Sequence, residues 1–126
     1  MIVSPLEEYH ALLARFGVSL APLSPRDIGL LRSDALKAVE VLRHAECPVL
    51  GGDVYLRRGD RFAVTYDNWF TNRKPAEDRE AYLRRSWDTT DAYIKNYPES
   101  ADAEVLFVIV FEAALGGDID QTARQR

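Results

Sequence analysis

The stretch VLFVIVFEAAL, residues 105–115, restricts the fold of this chain more than any other. Eleven residues are too few for a membrane-spanning helix, which needs about 20. Its β-branched and aromatic content reads as a strand. The apolar run from 104 to 113 does not alternate with polar residues, so both faces of that strand are expected to be buried and its place is central in a sheet. The rest of the chain has to supply flanking strands and helices to cover them.

Helical periodicity supplies the cover. Leu6, Tyr9, Leu13 and Phe16 recur at +3, +4 and +3 after Ser4, Pro5 and Glu7, which have the form of a capping box with proline at the first helical position. Gly17 is placed to end that helix in a left-handed conformation. Residues 18–32, with Pro22, Pro25 and Gly29, read as a connector with a turn of helix after Ser24 and Pro25. A second helix is predicted over 33–46, capped by Ser33, with Leu36, Val39 and Leu42 inward and Pro48 as its stop. A third is predicted over 76–97, with Leu83, Trp87, Thr90, Ile94 and Tyr97 on one stripe and Pro98 beyond it. Between the second and third helices the period shortens. PVLGGDVYLRRGDRFAVTYDNW predicts two strands, 49–57 and 62–67, joined by a tight loop at Arg58, Gly59 and Asp60. Two adjacent glycines, Gly51 and Gly52, suggest a bulge or a close backbone approach. The expectation is an α+β fold of order α-α-β-β-α-β: a small, mostly antiparallel sheet of about three strands with helices packed on it. Residues 1–115 are expected to form one domain and 116–126 a flexible tail.

A search for chemistry leaves little. His44 and Cys47 stand near a helix end, but His10 is the only other histidine, and a zinc site needs three or four ligands. No serine-nucleophile elbow and no phosphate-binding loop is present. No catalytic, cofactor or metal site is therefore expected. Asp53 and Asp67, on or near the two hairpin strands, remain as an acid–base pair or as turn-forming residues. A small-ligand or enzymatic pocket around Asp53, Tyr55, Asp67 and Trp69 is the alternative reading. The stretch TYDNWF, residues 65–70, reads either as a plug for the core through Trp69 or as a recognition surface, since Tyr and Trp are enriched among interface anchors.

Charge adds a direction. The net charge of −4 argues against nucleic-acid binding. From Asp88 to Asp120 there are eight acids and one base, Lys95. Asp88, Asp91, Glu99, Asp102 and Glu104 could form a surface that steers a basic partner, or a solvated face. The N-terminus has no basic, apolar leader, and the single cysteine forms no intrachain disulfide, which together suggest the cytoplasm. A sheet of three strands leaves an edge through which two copies could pair weakly.

PVLGGDVY at 48–55, TYDNW at 65–69, YLRRSWDTTDAYIKNYPE at 82–99 and the apolar strand together resemble the bacterial immunity protein 40 family of polymorphic toxin systems, over residues 33 to 111. The resemblance implies a non-enzymatic protein that binds and neutralises a cognate toxin in the cell that makes it or its kin. It implies family motif positions at Gly51, Gly52, Asp53, Tyr55, Tyr66, Asp67, Asn68 and Trp69. An acidic inhibitor fits a basic, nuclease-like toxin domain. No membrane partner is expected.

Overall fold

A computed structural model of the protein describes residues 5–112. Helix α1 (Pro5–Phe16) is followed by strands β1 (Val18–Leu20) and β2 (Ser24–Leu31). Helix α2 (Arg32–His44) leads to β3 (Val49–Arg58) and β4 (Arg61–Phe70), then helix α3 (Arg79–Asn96) and β5 (Glu104–Phe111). The sheet order is β1-β2-β5-β3-β4, with every neighbouring pair antiparallel. The α+β class stands, but the sheet has five strands where about three were expected, and the order is α-β-β-α-β-β-α-β. β5 lies between β2 and β3, the central place its apolar run requires.

The extra strands come from residues 18–32. No helical turn forms after Ser24 and Pro25; the segment is a hairpin, with a cis Ala21–Pro22 bond at its turn. Val18 pairs with Gly29, Ser19 with Ile28 and Leu20 with Ser24, so Pro25, Arg26 and Asp27 bulge out of register. Pro25 sits where no ladder hydrogen bond is required of it, which is why a proline is tolerated inside this strand. Asp27 is buried in the bulge, accepting from the Ser24 hydroxyl at 2.5 Å.

Sheet alternation divides the core in two. Val105, Phe107, Ile109 and Phe111 of β5 pack with Val54, Trp69 and all three helices. Leu106 and Val108 point the other way, towards Leu20 and Tyr55. On α3, Leu83, Trp87, Thr90 and Ile94 are buried as the periodicity predicts, and Asp78 caps the helix by accepting from the Ala81 amide at 2.8 Å.

Several end signals act differently from expectation. Ser33 is not the cap of α2: the cap position is Leu31, in extended conformation and without a side-chain bond. Gly17 has no positive φ. It is needed for space, since a Cβ there would lie 2.4 Å from both Ile28 Cγ2 and the Leu13 carbonyl oxygen. Phe16 leaves the buried stripe and lies half exposed under Arg15 and Lys37. Ser4 and the tail 116–126 lie outside the described residues.

Candidate functional site

The two glycine- and aromatic-rich strings are one structural unit. In the β3–β4 ladder Gly51 pairs with Phe70, Gly52 with Trp69 and Asp53 with Asn68. TYDNW is thus the second half of β4, which runs three residues beyond its expected end at 67. The Trp69 ring lies across Gly52: a Cβ there would be 2.2 Å from Trp69 Cη2 and 2.3 Å from the Val108 carbonyl oxygen. Trp69 stacks on Tyr93 of α3 at 4.6 Å between centroids and donates its indole N–H to Thr90 Oγ1 at 3.0 Å. Gly51 has φ +149°, and a Cβ there would meet the Trp69 carbonyl oxygen at 2.2 Å. The expected bulge is present: β3 shifts register against β5 between Val49 and Gly51. Ser86 accepts from the freed Val49 amide at 3.1 Å, and the Thr71 hydroxyl bonds to the Val49 carbonyl. Both are fully buried; Ser86 flanks the apolar stripe of α3 in sequence, and Thr71 carried no sequence signal.

A second bulge lies in β4. Asp53 pairs with Asn68 and Tyr55 with Val64, so Thr65, Tyr66 and Asp67 together face Val54. Thr65 Oγ1 donates to the Val54 carbonyl at 2.7 Å and accepts from the Asp67 amide at 3.0 Å, which pins the kink. Tyr66 is held at φ +66°, a conformation unfavourable for an aromatic residue, and its side chain is 87 % exposed. Phe70 and Val64, on the same strand, are 52 % and 40 % exposed. β4 is an edge of the sheet. Asp67 is exposed and accepts from the Tyr97 hydroxyl at 2.6 Å. Burial first, and then this bond to Asp67, push the Tyr97 hydroxyl up to about 12. Beside it a shallow groove of about 370 Å³ is lined by Ala92, Tyr93, Asn96, Tyr97 and Pro98.

The residues of these two strings therefore separate by role. Gly51, Gly52 and Trp69 build the fold, whereas Tyr66, Asp67 and Asn68 are presented to solvent. The four side chains of the alternative pocket do not converge. Trp69 and Asp67 reach α3, while Tyr55, and with it Asp53 by alternation, faces the opposite side of the sheet. Tyr55 is buried there, its hydroxyl 3.5 Å from Asp27. The carboxylates Asp53 and Asp67 lie on opposite faces and do not form an acid–base pair. A larger cleft of about 450 Å³ opens between the start of α2 and β5, lined by Leu31, Arg32, Leu36, Glu99, Glu104 and Val105, and it holds none of the motif residues. Cys47 is buried and His44 exposed, and no metal-binding group exists among the described residues.

The acids divide into two places, and four of the five expected steering residues are paired. On the helices Asp88 meets Arg43 at 3.2 Å and Asp91 meets Lys95 at 2.8 Å. At the tip of the β3–β4 hairpin Asp102 meets Arg58 at 3.2 Å and Glu104 meets Arg57 at 2.5 Å. Arg58, then Ser100, holds the Asp102 carboxyl below its usual range. Glu99 has no ion-pair partner among the described residues. The two arginines of the hairpin thus neutralise Asp102 and Glu104 locally.

This is a small α+β protein in which three large exposed apolar side chains, Val64, Tyr66 and Phe70, lie on a kinked edge strand. Residues 14–111 match the family model described as immunity protein 40, and the chain belongs to that family. The match takes in the end of α1 and the β1–β2 hairpin as well as the motif strands. No curated protein and no solved structure matches the chain.

Proposed function

We propose that this protein is an immunity protein that neutralises a cognate toxin by binding it in a stoichiometric complex, without chemistry of its own. Family membership over residues 14–111 carries the reading. The exposure of Val64, Tyr66 and Phe70 on one edge strand supports it, because clustered apolar and aromatic side chains at a surface suit a protein partner. An acidic chain of net charge −4 suits a basic toxin, such as a nuclease-like domain whose own substrate is polyanionic. Asp88, Asp91, Glu99, Asp102 and Glu104 would then steer the encounter, with Glu99 contributing most because it is not already paired. The place of action is the cytoplasm of the producing cell and its kin, where such a toxin would do harm.

The test is co-expression with the toxin encoded beside this gene. Growth in the presence of both, death with the toxin alone, and co-purification of the pair are expected. Protection without a complex would overturn stoichiometric inhibition.

A further inference from the structure

Two features lie side by side on the β4 edge. Tyr66 is held in a left-handed conformation with almost its whole side chain in water. That arrangement does nothing for the core, and unlike Glu46 and Ala76, which share its positive φ in exposed turns, Tyr66 lies on a strand with a large aromatic side chain in water. Next to it, Asp67 has no ion-pair partner among the described residues. Its carboxylate is instead oriented by the Tyr97 hydroxyl, at the rim of the groove formed by Tyr93, Tyr97, Ala92 and Pro98. The groove follows the last turns of α3, where the helix dipole is negative. Arg32 donates to the Ile94 carbonyl of that helix end at 2.5 Å and offsets part of its negative charge, so Asp67 is the carboxylate left to meet a cation at the groove. A carboxylate and tyrosine faces beside a shallow groove form a receptor for the stem and charged head of a basic side chain.

We propose that the toxin docks on this face by laying an arginine or lysine side chain along the Tyr93–Tyr97 groove, its charge meeting Asp67 and its flank covered by Tyr66. The proposal rests on the reading of the protein as a toxin inhibitor and names the surface and the chemistry of the contact. The β4 kink would then hold the docked toxin, with the acidic run limited to steering the encounter.

Two variants test it because neither disturbs the fold. Tyr66→Gly suits the positive φ and removes only an exposed side chain. Asp67→Asn keeps an acceptor for Tyr97 and removes only the charge. Binding of the catalytically inactivated toxin from the neighbouring gene is measured for both, at low and high salt, beside a variant with Asp88 and Asp91 reversed to lysine. The expected result is affinity weakened by about thirtyfold for Tyr66→Gly, the size of an interface hot spot, and about tenfold for Asp67→Asn, with a flatter salt dependence. Melting temperatures should stay at or above wild type. Wild-type affinity in both variants, or loss confined to the Asp88/Asp91 reversal, would overturn the site while leaving the inhibitor reading intact. A wild-type protein that binds no toxin would overturn the inhibitor reading and the site with it.

Discussion

At the scale of single residues, Gly52 and Tyr66 show how one pair of neighbouring strands serves two purposes. Gly52→Ala places a methyl group within 2.2 Å of the Trp69 ring and 2.3 Å of a backbone carbonyl oxygen, so one of them must move. Overpacking of this kind costs about 1–3 kcal/mol, and the fixed backbone on one side puts Gly52→Ala at the upper end. Urea denaturation should show it as a lower midpoint. Tyr66→Gly should go the other way. A left-handed conformation costs a non-glycine residue about 1–2 kcal/mol, and the glycine recovers part of that while losing no buried contact. Thr90→Val leaves the Trp69 indole N–H without its acceptor in a buried site, and should cost about 1–3 kcal/mol in the same assay. The adjacent glycines predicted a bulge or a close backbone approach, and both occur: β3 shifts register at Val49–Gly51, and Trp69 lies against Gly51 and Gly52. The sequence did not show the bulge at Thr65–Asp67, which takes Tyr66 out of the ladder and leaves it almost wholly in water, because a bulge interrupts the regular pairing that strand reading assumes.

At the scale of elements, the long periodic segments were legible and the irregular ones were not. α3, β5 and the β3–β4 hairpin follow from apolar spacing and from Gly59, whose φ of +62° suits the first position of a two-residue turn. The β1–β2 hairpin was hidden because its strands are short, contain prolines and gain their identity from pairing with each other and with β5. The connection from β4 to α3 was equally silent. There Glu77 is clasped by Arg85 at 2.7 and 2.8 Å and accepts from the Lys74 amide at 3.0 Å. The Arg85 bond, then the Lys74 amide, lowers the Glu77 carboxyl from 4.5 to about 2. Between those values the unfolded chain holds a proton that the folded chain does not, so stability rises with pH across the window. The contribution of this clasp is full above about pH 4.5 and is lost as pH falls towards 2. Glu77→Gln should be less stable than wild type at neutral pH, and the difference should vanish on acidification. A constant difference across that range would mean that the charge is not what holds the connection.

At the scale of the whole molecule, the fold exposes a ten-residue edge strand, which ordinarily invites pairing with a second copy. The kink at Thr65–Asp67 interrupts the ladder that such pairing needs, and kinks of this kind are a common protection of sheet edges. Sedimentation over a wide concentration range should therefore show a monomer; a dimer that persists on dilution would favour a structural adaptor joined at β4. The same kink keeps Tyr66 and Asp67 available for a different protein, which ties the shape of the edge to the proposed inhibition. The most direct test of that account is a calorimetric titration of the protein with the inactivated toxin from the neighbouring gene. The account predicts heat that saturates at one toxin per immunity protein, with affinity that weakens as salt rises. A flat titration in the presence of a folded toxin would contradict it.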